Sequence, residues 1–307
     1  MTGIFIALAV LGSYVWSQPE AFFSFNASDI VMPATITGTI PVVLPMARNV
    51  PLSLDVPAPL IKASASAAYD EDSDFRLISD NPDGVRSIAS ITKLMTALVF
   101  LDHNPGWDTS YTISRNDYRE GGKIHVYPGD TASVRDIFRT ALIASDNVAI
   151  AALVSATGMS EADFVAAMNA KARLLNLKHS GFFDPTGLDA RNISTAHDIA
   201  RLANEAFSKP DIIDALTRSE FSFTTKEGSA KHVVTTDQLL KSDVPGGVTI
   251  VAGKTGYLPK AGYCFVGQFE KNGKKITTVV LGADTEEGRF NETKKLVDWA
   301  FKNYRWE

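Results

Sequence analysis

Three short stretches of this chain hold residue types capable of nucleophilic chemistry. Ser90-Ile91-Thr92-Lys93 sets a hydroxyl three positions before an amine. On a helix, residues i and i+3 share a face, so the two groups come within reach of each other. A serine at a helix start also sits near the positive end of the macrodipole, which favours developing negative charge. The lysine can accept a proton only when neutral, which requires desolvation or a neighbouring cation. Ser145-Asp146-Asn147 offers a hydroxyl that can relay a proton and an amide that can orient a carbonyl or the lysine. In Lys254-Thr255-Gly256, the lysine and threonine can bind a carboxylate, and the glycine lets an extended ligand lie against a strand edge. Lys254 is also expected to help keep Lys93 neutral by like-charge repulsion. The backbone N–H groups of Tyr257 and Ser90 are candidates for an oxyanion hole.

Each stretch has a plainer reading when taken alone: a helix cap followed by an exposed lysine, a polar helix break, a strand end. The run from Gly247 to Thr255 also resembles a phosphate-binding loop. That loop needs four residues between its glycines and here there are five, all strand formers, so a nucleotide site is rejected.

The elements that must position these residues can be read from periodicity. From Ser90, the apolar residues Ile91, Leu94, Met95, Leu98 and Val99 recur at helical spacing. Further helices are predicted over Val134–Ala156, with Gly158 as a stop, over Glu161–Leu175 with Ser160 as cap, and over His197–Ala206. Ala63–Tyr69 and Phe75–Ile78 read as strands joined by the turn Asp70-Glu71-Asp72. Strands return at Glu220–Thr225, His232–Thr236, Val248–Lys254, Tyr263–Phe269 and Lys275–Leu281, the last two joined by the hairpin signal Asn272-Gly273. A closing helix is predicted over Arg289–Tyr304, with Leu296, Val297, Ala300, Phe301 and Tyr304 on one face. Strands from both ends and helices between them predict an α+β fold: an antiparallel sheet flanked by helices, with a helical insertion.

Composition narrows the class. The 307 residues are 45% hydrophobic and 21% charged, as in ordinary globular proteins, and the net charge of −5 gives no support for nucleic-acid binding. The single cysteine, Cys264, excludes an internal disulfide and reads as a buried structural thiol. The five histidines have no metal-ligand spacing. Ile4 to Trp16 is an uncharged apolar run of 13 residues, short for a membrane span and suited to a signal peptide or anchor. Its positive flank is missing, since no Lys or Arg precedes Arg48. Seven of the 14 prolines fall between Pro19 and Pro59. The expected organisation is therefore a leader over 1–25, a Pro-rich tether over 26–59 and one domain over 60–307. Its sheet part covers 60–86 and 219–307, and its helical part 87–218.

All three stretches in this order, in these strand and helix contexts, resemble the motif set of β-lactamases and penicillin-binding proteins. From about Leu60 to Trp306 the chain resembles the low-molecular-mass penicillin-binding proteins, the D-alanyl-D-alanine carboxypeptidases and endopeptidases. Beyond the three motifs the resemblance rests on SIASITKLMTALV from Ser87, MNAKA from Met168, FDPTGLDARNISTAHDIARLA from Phe183 and GKTGYLPKAGYC from Gly253. It implies a β-lactamase/transpeptidase-like fold with the site between sheet and helical insertion. It implies that Ser90 attacks the bond between two D-alanines of a peptidoglycan stem peptide, that Lys93 is the base and that water releases the acyl-enzyme. Ser145 and Asn147 would form a second wall. Lys254, Thr255 and Gly256, with Tyr257, would form a third that holds the substrate carboxylate. The resemblance implies no metal or organic cofactor. β-Lactam antibiotics would be covalent inhibitors and the protein would act outside the cytoplasm, with membrane association expected only through its amino-terminal segment.

Two departures fall near the expected site. Thr235-Thr236-Asp237-Gln238 stands where relatives often show Asn-Thr-Asn before a Leu-Leu pair, and Leu258-Pro259 replaces more usual polar residues. Many relatives also carry an all-β second domain and a carboxyl-terminal anchor, whereas this sequence runs to Glu307 just after the closing helix. A D,D-carboxypeptidase is the first reading and an endopeptidase cutting cross-links the alternative. A β-lactamase is disfavoured because the nearest match to its Glu-x-x-Leu-Asn pattern, Ala172–Asn176, lacks the carboxylate. A non-catalytic wall-binding or antibiotic-sensing module is disfavoured because Ser90 and Lys93 are both intact.

Overall fold

The computed structural model describes residues 56–306, together with the backbone of Leu52 and Ser53. The leader expected at 1–25, and all but the end of the tether expected at 26–59, lie outside the described residues.

Five strands form one antiparallel sheet: β1 (Ala65–Asp70), β2 (Arg76–Asp80), β3 (Thr249–Leu258), β4 (Gly262–Lys271) and β5 (Lys274–Ala283). Their spatial order is β3-β4-β5-β1-β2, so the two ends of the described chain meet where Val279 stands opposite Ala67. Among the described residues, seven α-helices accompany the sheet. They are α1 (Thr92–Asp102), α2 (Val134–Ile143), α3 (Asn147–Ala156), α4 (Glu161–Leu174), α5 (Ala196–Phe207), α6 (Pro210–Leu216) and α7 (Glu286–Asn303).

Alternation along the strands divides the core in two. Phe265, Phe269, Ile276 and Val280 pack with Leu296, Val297 and Ala300 of α7. Their neighbours Cys264, Val266, Val279 and Leu281 join the other cluster, which holds Ile199 and Ala203 of α5 and most of α1. Both faces of the sheet are covered, which is why these strands read as almost continuous apolar runs rather than alternating ones. The Asn272-Gly273 turn between β4 and β5 has φ of 51° and 74°, the left-handed pair that an Asn-Gly hairpin supplies.

Helix α1 is buried from Thr92 to Phe100, as suits a central helix that is packed on every side. The continuous helix expected over Val134–Ala156 is corrected: it is two helices, α2 and α3, interrupted at Ala144-Ser145-Asp146. Ser145 takes φ +60°, and Asp146 caps α3 by accepting the N–H groups of Val148 (2.8 Å) and Ala149 (3.0 Å). Apolar periodicity runs through the interruption and hid it. Ser160 caps α4 as expected, its hydroxyl accepting Asp163 N–H. Helix α6 escaped the periodicity reading because it is one short segment, although Pro210 in its first turn is the signal that could have marked it. Several two- and three-residue pairings also went unseen, such as Arg86–Ser87 with Ile193–Ser194, because nothing that short carries a period. Leu52–Ser53 pairs with Tyr304–Arg305 within the segment expected as tether.

Candidate active site

Ser90 lies in a single turn of tighter helix, Ala89–Ile91, which leads directly into α1. The sequence expectation began α1 at Ser90 itself; the helix proper starts two residues later, and the turn keeps the serine and lysine on one face. Ala89 holds φ +49°, a left-handed conformation that costs a non-glycine residue about 1 kcal/mol or more. The backbone of Gly187 passes so close that a Cβ there would stand 2.6 Å from the Ala89 carbonyl carbon and 2.9 Å from the Ser90 nitrogen. Only glycine fits at that crossing.

Lys93 is fully buried, and its Nζ donates to Ser90 Oγ (2.8 Å), Asn147 Oδ1 (2.7 Å) and the Thr186 carbonyl (2.6 Å). The Thr186 carbonyl belongs to a loop folded around Asp184. Asp184 accepts the N–H groups of Thr186 (3.0 Å), Gly187 (3.1 Å) and Asp189 (3.2 Å), and the Asn192 amide (2.8 Å). Asn192 also donates to Thr92 Oγ1 at 3.1 Å, tying this loop to α1. Sequence reading quoted the Phe183–Asn192 stretch without giving any of its residues a part in positioning the lysine.

The break between α2 and α3 makes the second wall. Left-handed Ser145 puts its hydroxyl 2.8 Å from Lys254 Nζ, and Asn147, at the start of α3, gives its carbonyl to Lys93 and its amide N–H to the Gly121 carbonyl (2.9 Å). The polar helix break and the functional reading of this stretch are therefore one feature.

Strand β3 is the sheet edge and forms the third wall. It runs four residues beyond the expected end at Lys254, through to Leu258. A Cβ on Gly256 would lie 2.8 Å from the Ile88 carbonyl oxygen and 3.3 Å from the Ser90 nitrogen, so the edge passes directly over the serine turn. Thr255 Oγ1 is hydrogen-bonded to Thr236 Oγ1 at 2.6 Å, and Tyr257 stacks half-exposed on Tyr263 at 4.3 Å. Around these walls lies a cleft of about 550 Å³, lined by Ser90, Ser145, Asn147, Thr255, Gly256 and Tyr257, among others. Lys123 and Arg289 of α7 also line it, and Arg289 donates to the Gly256 carbonyl (3.3 Å) and pairs with Glu286 (3.0 Å). Its Nε is buried without a partner. Sequence reading missed Arg289 because on the closing helix it looked like one more surface charge.

Burial governs the electrostatics. Desolvation lowers the Lys93 pKa from 10.5 to about 7, against the opposing pull of Asp184 and Asp146. Lys254 is held well below its ordinary value, by burial first and then by repulsion from Lys93 and Arg289. The expectation that Lys254 keeps Lys93 neutral is thus corrected: burial does so, and the repulsion falls on Lys254. The site consequently offers a hydroxyl hydrogen-bonded to an amine that is half deprotonated near neutral pH, beside the buried basic side chains of Lys254 and Arg289.

Comparison with known proteins follows the same lines. Residues 53–285 match the family described as D-alanyl-D-alanine carboxypeptidase. The chain is 31% identical over 250 residues to the D-alanyl-D-alanine endopeptidase of Escherichia coli (strain K12), covering 78% of each protein. It is 30% identical over 250 residues to the D-alanyl-D-alanine carboxypeptidase DacF of Bacillus subtilis (strain 168), covering 79% of this chain and 63% of that one. Among solved structures, cefotaxime-bound penicillin-binding protein D2 from Listeria monocytogenes superposes with a TM-score of 0.69 at 32% identity, over 80% of this chain and all (100%) of that one.

Proposed function

The chain belongs to the D-alanyl-D-alanine carboxypeptidase family of serine peptidases, and from that premise we propose that it removes the terminal D-alanine of peptidoglycan stem peptides through an ester on Ser90. The observation that carries this reading is the fully buried Lys93, 2.8 Å from Ser90 Oγ and with a pKa brought down to about 7. A base of that strength can take the serine proton without having to be deprotonated far from neutral pH.

In the reaction, Ser90 Oγ attacks the carbonyl carbon between the two D-alanines and its proton passes to Lys93 Nζ. The backbone N–H groups of Ser90 and Tyr257 hold the oxyanion, with β3 laid over the serine turn. As the carbon–nitrogen bond breaks, the leaving amine gains a proton through Ser145, whose hydroxyl also meets Lys254. Water then adds to the ester with Lys93 again as base, and the shortened peptide leaves. Asn147 orients Lys93 and the substrate carbonyl. Lys254, Thr255 and Arg289 hold the terminal carboxylate, with Arg289 supplying donors that Glu286 only partly occupies. A β-lactam would enter by the same attack and remain on Ser90.

A second reading, cleavage of cross-links by endopeptidase action, is favoured by one observation. The chain spans 78% of the Escherichia coli endopeptidase but 63% of the Bacillus subtilis carboxypeptidase. The protein acts where peptidoglycan is, outside the cytoplasm. Export or anchoring by the apolar run at 4–16 is part of the proposal, and among the described residues no single helix is long and apolar enough to cross a membrane.

The test is intact-protein mass after incubation with benzylpenicillin, beside Ser90→Ala. An adduct on the parent chain that the variant lacks is the expected result; no adduct on folded parent protein would refute the reading. Digestion of purified muropeptides then separates the two activities. Loss of D-alanine from pentapeptides indicates a carboxypeptidase, and conversion of dimers to monomers an endopeptidase.

A further inference from the structure

Among the described residues, the cleft lining contains one acidic side chain, that of Glu286, and no step of the reaction above uses it. Glu286 opens α7, and its Oε1 accepts Arg289 Nη2 at 3.0 Å. The pair is unequal: the Arg289 side chain is 5% exposed and the Glu286 side chain 56%. A fixed, buried cation is therefore met by an anion that has solvent to withdraw into.

The other two buried basic side chains of the site have no such partner. Lys93 donates to Ser90 Oγ, Asn147 Oδ1 and the Thr186 carbonyl, and Lys254 to Ser145 Oγ (2.8 Å) and the Thr255 carbonyl (2.9 Å), all uncharged oxygens. Arg289 alone is paired with a carboxylate, and it does not depend on that carboxylate for its place. Its Nη1 donates to the Gly256 carbonyl at 3.3 Å, and its Cζ lies over the rings of Phe290 (4.8 Å) and Tyr263 (5.5 Å). Its Nε remains buried without a partner. Stability of α7 does not single out Glu286 either. Glu287 puts the same charge into the first helical turn without lining the cleft.

We infer that Glu286 is a specificity-determining residue: it stands in for the substrate carboxylate on Arg289 in the free protein and is displaced when a carboxylate-bearing ligand binds. An incoming carboxylate must either exchange with Glu286 or share one guanidinium with it, and like charges at such a distance repel. Both routes weaken binding of the anion. A ligand without a carboxylate leaves the Glu286–Arg289 pair intact and meets no such opposition. Glu286 thus sets how strongly the site favours ligands that end in a carboxylate. The inference rests on the reading of Ser90 as nucleophile and of Arg289 as a carboxylate-binding group.

The experiment is the second-order rate of Ser90 acylation by benzylpenicillin, which carries one carboxylate, and by its neutral methyl ester. Both are followed by intact mass in the parent chain and in Glu286→Gln. Glutamine keeps the length and an oxygen acceptor for Arg289 but not the charge. The benzylpenicillin rate should rise about threefold to fivefold in the variant, the scale of one exposed charge pair, with the ester rate unchanged. Added salt should shrink that gain, because Glu286 is exposed to solvent. A variant rate with benzylpenicillin that is unchanged or lower, or a gain equally large with the ester, makes Glu286 only a structural partner of Arg289 and overturns this inference alone. A parent chain acylated by neither compound overturns the functional reading as well.

Discussion

Replacing Lys93 with methionine should slow acylation about 10³-fold while making the protein's stability less dependent on pH. Lys93 is fully buried and its native pKa is about 7, against 10.5 for an ordinary lysine. Between those values the unfolded chain binds a proton that the native protein does not, so native stability rises with pH across the window. At about pH 7 the native amine is half protonated, and by about pH 9 it is neutral. At ~1.4 kcal/mol per proton and pH unit, the stability gained over that interval is about 2 kcal/mol. Methionine has similar length and no charge, so Lys93→Met loses this gain. Its removal also relieves the repulsion that holds Lys254 low, which reduces the variant's pH dependence further. The difference in unfolding free energy, parent minus variant, should therefore grow by at least about 2 kcal/mol from pH 7 to pH 9 in urea titrations. Acylation should fall about 10³-fold above about pH 7, where the parent Lys93 is deprotonated, and by less at lower pH, as expected for a positioned general base. A difference that stays flat across this range, with both proteins folded, would refute the argument that burial neutralises Lys93.

Acylation of the parent chain should rise with pH through about 7 as Lys93 loses its proton, measured by the same intact-mass assay. Gly187→Ala forces a methyl group into the turn that carries Ser90, at a residue with φ +85°. Left-handed strain and overlap together should cost about 2–4 kcal/mol in urea melts and slow acylation about 10²-fold, because the serine is displaced. Arg289→Gln should raise KM for a pentapeptide about tenfold with a smaller effect on kcat, since a charge-assisted contact to the carboxylate is lost while Ser90 and Lys93 are untouched. Gly253→Ala drives a Cβ into Asp237 and to within 2.6 Å of the Phe265 ring, and should destabilise by about 1–3 kcal/mol in the same melts.

The sequence by itself determined the family and most of the scaffold. Ser90 and Lys93 are three residues apart, and any helical turn brings such a pair together. Strands β4 and β5 were legible because continuous apolar runs flank an Asn-Gly turn, a signal that needs no distant partner. Capping by Ser160 was legible for the same reason: cap and helix are neighbours in the chain. Tertiary structure decided what depends on approach from far along the chain. Burial of Lys93 requires Thr186 and Asn147 to close over it, 93 and 54 residues away, and no local pattern reports the desolvation that lowers its proton affinity. The interruption at Ser145 was invisible because apolar periodicity continues through it, and only packing against Lys254, 109 residues distant, uses the left-handed turn. Arg289 and Asp237 look like surface charges in the sequence. Both are buried only when α7 and the segment before β3 fold against the same strand, which sets charges in a low dielectric where each alters the proton affinity of its neighbours.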